Sequence, residues 1–294
     1  MDALKVILVK VLLRVCAALP LSTARALGRI LAGLYWRLGG RGRRVTERNI
    51  SLAFPRLDCA AQQRLARESV AATGELMAEM GHIWLRPWDD LAPRLQVEGQ
   101  ELVLDAQAAG RGVLVLAPHQ GNWEVVGLHL ARLGPVASLY QPPRLQALDS
   151  VIRQARQKTG AELVPTDLRG IGSLVMALRA GQIAGLLPDQ VPTELAAGEN
   201  VPFMGIPCFT GTLASKLLQR TGALAVVAVA ERSPSGFTLR YREAGEDIYS
   251  GDLQTSLAAV NGEVERSLAQ SPEQYQWEYK RFRVRPSQGP GYYD

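Results

Sequence analysis

Cysteine is scarce in this chain: Cys16, Cys59 and Cys208 stand far apart. That spacing suggests neither a disulfide framework nor a paired-cysteine zinc site. Histidine is equally rare, and His82, His119 and His129 share no metal-binding spacing. No Gly-x-Ser-x-Gly run occurs, which argues against a serine esterase built on a nucleophile elbow. No glycine-rich stretch ends in Gly-Lys-Ser/Thr, and the glycine pairs at 110/112 and 170/172 lack the third glycine of a dinucleotide fingerprint. Basic residues cluster with aliphatic side chains more than with stacking aromatics, so nucleic acid is a poor explanation of the charge. An uninterrupted apolar run of about 20 residues, the length of a simple membrane span, is also missing.

What is present is a globular composition, 47% apolar and 21% charged over 294 residues, enough to bury a sizeable core. The net charge of +5 hides an asymmetry: residues 1–50 carry ten Lys or Arg against Asp2 and Glu47, a net +8, which leaves the other 244 residues at −3. The basic end is also apolar. In LKVILVKVLLRVCAALPL, residues 4–21, Lys10 and Arg14 lie four apart on one helix face and Pro20 ends the run. This suits a helix lying in the headgroup layer with its cations toward lipid phosphates, with a single span as the alternative. A cleaved signal fits less well, because arginines recur after the run and no clear small-x-small pattern follows. A second amphipathic segment, residues 22–40, places Arg25 and Arg29 on one side and Tyr35-Trp36 near its end, where interface aromatics often sit; a soluble surface helix has the same pattern.

Residues 60–80 read as helix. From about residue 95, short β-rich runs (95–98, 112–117, 136–140, 162–165, 183–187, 224–230 and 237–242) alternate with helical patterns (100–109, 122–133, 145–159, 170–180, 210–221 and 253–270). Alternation of this kind predicts an α/β fold, a mixed, mostly parallel sheet flanked by helices. The expected organisation is membrane-anchoring helices over 1–45 and a catalytic α/β domain over 46–294. Residues 189–209 hold several Pro and Gly and no period, which predicts a long loop.

The most informative stretch is VLVLAPHQGNWEVVG, residues 113–127. An apolar strand stops at Pro118, His119 follows, a turn with Gly121 leads to Asn122 as N-cap, and Glu124 lies in the first helical turn. An ordinary loop histidine beside a first-turn acid would read the same way. The functional reading is an imidazole that takes a proton, oriented by the carboxylate. With no serine or cysteine nucleophile beside it, the pair needs a substrate that brings its own nucleophile, such as a hydroxyl, and an electrophile already activated, such as a thioester. A basic, apolar N-terminus then points to acyl transfer onto a lipid alcohol.

PHQGNWE resembles the His-x4-Asp/Glu block of the glycerolipid and lysophospholipid acyltransferases. The wider chain resembles their lipid A secondary (late) acyltransferase branch, the lauroyl and myristoyl transferases of Gram-negative bacteria. NISLAFPRL (49–57), YQPPRLQALDSVIRQAR (140–156), LPDQ (187–190), VPFMGIP (201–207) and SPEQYQWEYKRFRVRP (271–286) carry that resemblance, the last most specifically. It implies His119 and Glu124 as the catalytic pair, with Arg156 and Asp189 as substrate-binding residues. It implies no metal or organic cofactor, acyl carrier protein as donor, a lipid A precursor as acceptor, and a place on the cytoplasmic face of the cell inner membrane, against phospholipid. An apolar channel beside His119 is expected for the acyl chain. Gln141 stands where the branch commonly has arginine, and a neutral amide cannot replace a guanidinium; Arg144 or Arg153 is the candidate substitute. Trp123 and Trp277 read as packing residues, His82 and His129 as structural, and KRFRVRP as a surface strand or tail. A glycerophospholipid or other glycolipid acceptor, or an inactive membrane scaffold, stays open as an alternative.

Overall fold

The computed structural model describes residues 2–143, 145–284 and 291–293. Four helices come first: α1 (Asp2–Ala18), α2 (Leu21–Arg37), α3 (Arg41–Ala53) and α4 (Cys59–Leu85). Their boundaries follow local chemistry. Pro20 precedes α2, Gly39 with φ 68° and Gly40 separate α2 from α3, and the Asp58 carboxylate accepts the Ala61 N–H at 2.7 Å to cap α4. Next come α5 (Trp88–Leu91), β1 (Leu95–Glu98), α6 (Glu101–Ala108), β2 (Val113–Leu116), α7 (Trp123–Leu133), β3 (Val136–Tyr140), α8 (Asp149–Gln157), β4 (Glu162–Pro165), α9 (Leu168–Arg179) and β5 (Ile183–Leu186). The chain finishes with β6 (Gly198–Phe203), β7 (Ile206–Gly211), α10 (Leu213–Thr221), β8 (Leu224–Arg232), β9 (Phe237–Glu243) and α11 (Leu253–Leu268).

Seven strands form one sheet in the order β1-β9-β8-β2-β5-β3-β4, parallel throughout except for the antiparallel β8–β9 pair. The expected mixed, mostly parallel sheet flanked by helices is therefore present. Side-chain alternation divides its core. Val113 and Val115 of β2 pack with Val226 and Ala228 of β8 and with Val125 and Leu128 of α7 on one face. Leu114 and Leu116 pack with Ala225 and Val227 and with Leu174 of α9 and Leu217 of α10 on the other. All four β2 side chains are buried, and each such burial is worth roughly 1.5–3 kcal/mol.

Crossovers make β2 the pivot. The chain leaves β2 through α7, passes over the position of β5 to reach β3 and β4, then returns to insert β5 between β2 and β3. Leu116 of β2 pairs with Leu186 of β5 in parallel register. Residues three positions beyond each, His119 and Asp189, therefore leave the sheet side by side at its C-terminal edge, where open α/β sheets bind ligands.

The segment expected to be a long loop contains a hairpin instead. β6 and β7 pair antiparallel around Met204-Gly205, whose φ values of 51° and 75° match a two-residue turn of the primed type. Its prolines disguise the strands in sequence. Pro202 faces Pro207 one pair away from the turn-flanking Phe203–Ile206 pair, a position whose N–H would point away from the partner strand, so the missing donors cost no ladder bond.

α1 and α2 pack on α4. The α2–α4 contact is so close at Gly28 and Gly74 that a Cβ at residue 28 would lie 2.2 Å from the Gly74 carbonyl oxygen. Arg25, expected on an exposed face, is buried here, while Arg29 stays at the surface beside Glu75. Leu4, Ile7, Leu8, Val11 and Val15 of α1 and Ile30, Leu31 and Leu34 of α2 are exposed. Among the described residues no helix is long and apolar enough to cross a membrane.

Candidate active site

His119 lies in a tight turn between β2 and α7 that is braced on three sides. Gly121 has φ 59°, and a Cβ there would sit 2.0 Å from the Ala230 carbonyl oxygen, so glycine is required on both counts. The Asn122 N–H donates to Ala230 O at 2.8 Å, the Gly121 N–H to Gln274 O at 2.9 Å, and the Gln276 N–H to His119 O at 3.0 Å. Gln120 forms an antiparallel bridge with Tyr275. The first part of the C-terminal block 271–286, the most specific stretch of the family resemblance, is thus the strap that holds the histidine turn.

The same segment reaches the neighbouring Asp189 turn. Tyr279 Oη accepts the Val191 N–H at 2.9 Å, and Arg283 donates to Val191 O at 3.2 Å. Arg281, expected in a surface strand or tail, is buried and donates to Phe209 O at 2.7 Å, Thr210 Oγ1 at 3.1 Å and Asn261 Oδ1 at 3.2 Å. Phe282 is also buried, because the cluster containing Phe203, Trp277 and Ile50 forms over it. Arg285 and Pro286, the end of that block, lie outside the described residues.

The four candidate residues converge on this edge, but their pairing differs from the expected one. The imidazole Nδ1 lies 2.8 Å from Asp189 Oδ1, and the His119 backbone N–H donates to Asp189 Oδ2 at 2.8 Å. The Gln190 amide nitrogen is 3.0 Å from Nε2. Amide and carboxylate together assign the tautomer: Nδ1 carries the hydrogen toward Asp189, and the Nε2 lone pair accepts from the Gln190 amide. Burial pushes Asp189 up, but the imidazole, its hydrogen bonds and Arg281 outweigh that and hold it below the ordinary carboxylate value. Expected to meet substrate, Asp189 is instead sealed behind the histidine at 2% exposure.

Glu124, expected to orient His119, is taken by Arg156. The guanidinium grips it with Nε 2.9 Å from Oε2 and Nη2 2.5 Å from Oε1, a fork that fixes both planes. Among the described residues no hydrogen bond joins Glu124 to His119. The reason is placement: β5 delivers a carboxylate in register with the histidine, whereas Glu124 rides on the first turn of α7 toward α8. Asn122 is the residue before α7, yet its side chain makes no cap; its amide donates 2.9 Å to Glu79 Oε2. Glu79 is fully buried and also receives Arg25 at 2.7 Å and Arg232 at 2.8 Å, and Arg232 donates in turn to Gly121 O at 3.2 Å. In sequence Glu79 is one more polar residue of a helix, and nothing marks it as the hub beneath the turn.

His119, Glu124 and Arg156 face a cavity of about 420 Å³. Leu128, Leu139, Leu163, Leu186 and Leu187 line its apolar part, and Trp123 closes one side with its ring 4.8 Å from the imidazole. The expected apolar space beside His119 is therefore present, and Trp123 belongs to its wall, whereas Trp277 is buried as packing. Gln141 also lines the cavity. Arg144 lies outside the described residues, and Arg153 donates 2.9 Å to Asp149 over the Tyr140 ring, away from the cavity wall. His82 and His129 are buried at a distance from this site, the latter 2.7 Å from Tyr241 Oη.

A parallel sheet carrying a histidine–carboxylate pair at its C-terminal edge, beside an apolar cavity, has the parts of a group-transfer enzyme acting on a lipid-like substrate. Comparison with known proteins makes this specific. Residues 2–284 match the family model for bacterial lipid A biosynthesis acyltransferases, and the chain belongs to that family. It is 27% identical over 246 residues to the lipid A biosynthesis palmitoleoyltransferase of Escherichia coli K12, covering 82% of this chain and 79% of that protein. The lauroyltransferase of the same organism is 25% identical over 280 residues, covering 94% and 90%, and its myristoyltransferase 25% identical over 252 residues, covering 85% and 77%. The chain is an acyltransferase.

Proposed function

We propose that the enzyme transfers a fatty acyl chain from an acyl carrier protein thioester to a hydroxyl of a lipid A precursor, with His119 as general base. One observation carries this reading: His119 lines a cavity with leucine walls, its Nδ1–H held by Asp189 and its Nε2 met, among the described residues, only by the Gln190 amide of the same cavity wall, which an incoming hydroxyl would displace. In the reaction Nε2 removes the hydroxyl proton as the oxygen attacks the thioester carbonyl carbon. The tetrahedral intermediate then collapses, the carbon–sulfur bond breaks, and the departing thiolate takes the proton back from the imidazolium. Asp189 stabilises that cation. Glu124 positions Arg156, whose charge lies at the cavity wall where the oxyanion develops. The leucines take up the donor chain, since each methylene withdrawn from water contributes about 0.8 kcal/mol.

The exposed apolar side chains of α1 and α2, next to the basic stretch Arg41–Arg48, support a place on the cytoplasmic face of the inner membrane, with residues 1–45 as the anchor. The same positive field favours an acidic carrier protein. Incubation of purified enzyme with acyl carrier protein thioester and lipid A precursor, read by mass spectrometry, tests the proposal. Acylation of the precursor is expected; acylation of glycerol-based lipids alone would contradict the acceptor, and use of coenzyme A thioester alone would contradict the donor.

A further inference from the structure

A second cavity, of about 330 Å³, lies in the helical layer between α1, α2 and α4. Leu12, Leu31 and Met77 stand at its mouth and are themselves exposed, so it opens onto the apolar outer face of the helices. Val70 lines its interior, and at its inner end stand Thr73 and Glu278, joined by a 3.2 Å hydrogen bond. Burial pushes the Glu278 carboxyl up, against hydrogen bonds from Thr73 and Gln276.

The inner end of the chamber is near the catalytic histidine. Thr73 and Glu278 also border a small gap walled by Trp123 and Gln276. Trp123 packs against His119 with its ring tilted by 58°, and the Gln276 N–H donates to the His119 carbonyl. One layer of side chains therefore separates the chamber from the site. None of its mouth residues, by contrast, lines the leucine-walled cavity beside His119.

We propose that this chamber is a second acyl-chain site, which admits one alkyl tail of a bilayer lipid through the Leu12–Leu31–Met77 mouth. The size is in the range of small-molecule sites, and a large apolar cavity takes an apolar guest rather than water. The occupant is a bilayer chain rather than the thioester-borne one because the mouth is continuous with the exposed apolar face of α1 and α2. The inference rests on the reading that this face meets a membrane.

Photolabelling tests it. The full chain is bound to vesicles of phosphatidylethanolamine and phosphatidylglycerol containing a phospholipid with a diazirine in one acyl chain, irradiated, digested and mapped by mass spectrometry. Adducts are expected on α4 between Val70 and Met77 and on Glu278, and should fall about tenfold in Leu31→Trp/Met77→Trp, while adducts on the outward residues Leu4, Ile7 and Leu8 persist. If the plugged variant misfolds, the map of the unaltered chain still decides: adducts confined to outward residues overturn the chamber. A dodecanoyl thioester carrying the diazirine is the second arm, expected to label near Leu139, Leu163 and Leu187; chamber labelling by the thioester and not by the phospholipid overturns the assigned occupant. Vesicle flotation reads membrane seating separately, so a chain that floats but stays unlabelled inside disproves the chamber alone. Chamber labelling in His119→Ala, with acyl transfer lost, is expected.

Discussion

The two cavities are similar in size, about 420 Å³ beside His119 and about 330 Å³ between the helices, yet their walls are unlike. The first lies at strand ends, where a parallel sheet delivers side chains from β2, β5, α7 and α8 to one place; it therefore carries an imidazole, a carboxylate–guanidinium pair and amides. The second lies between helices whose backbone polar groups are satisfied internally; apart from Glu278, Thr73 and Tyr35 it offers mostly hydrocarbon and glycine. Strand ends concentrate polar chemistry, and helix pairs leave an apolar space between them.

Breaking the polar side should have the largest effect. His119→Ala is expected to lower acyl transfer by about 10²–10⁴-fold, and Asp189→Asn by a comparable factor, because the imidazole loses both its tautomer and its counter-charge. Initial rates with a labelled thioester measure this; an Asp189→Asn enzyme at full rate would remove Asp189 from the mechanism. Glu79→Gln comes next. It leaves Arg25 and Arg232 buried without a carboxylate, and breaking such a pair costs about 3–5 kcal/mol, to be read as a lower urea midpoint.

Gly127 lines the cavity beside His119, and a Cβ there meets no atom within 4 Å. Gly127→Leu should shift the preferred donor to shorter chains and, by filling a helical position, add about 0.5–1 kcal/mol of stability; competition between thioesters of different length shows the shift. The smallest effect concerns the chamber. Glu278 binds its proton more tightly folded than unfolded, so its contribution is complete below the unfolded value of about 4.3 and declines as pH rises through the folded value. Glu278→Gln should flatten that decline, measured as urea midpoints at acidic and neutral pH.

Periodicity was a sound guide to β2, α7 and the other alternating elements, because their burial patterns repeat within a few residues. It failed for β6 and β7, where Pro202 and Pro207 sit at positions that need no donor. The four candidate residues are all visible in the sequence as residue types. Their partners are not: His119 and Glu124 are close in sequence yet bond to residues 70 and 32 positions away.

By itself, the amino-acid sequence determined the alternating elements, the strand–turn–helix around His119, the family, and the basic, apolar character of the N-terminus, since each is local or cumulative along the chain. Only the tertiary structure decided that Asp189 holds the imidazole, that Glu124 holds Arg156, that Arg25 and Arg281 turn inward, and that a chamber opens beneath α1 and α2. Strand order and register set those pairings, and both arise from the simultaneous packing of segments that the chain keeps far apart.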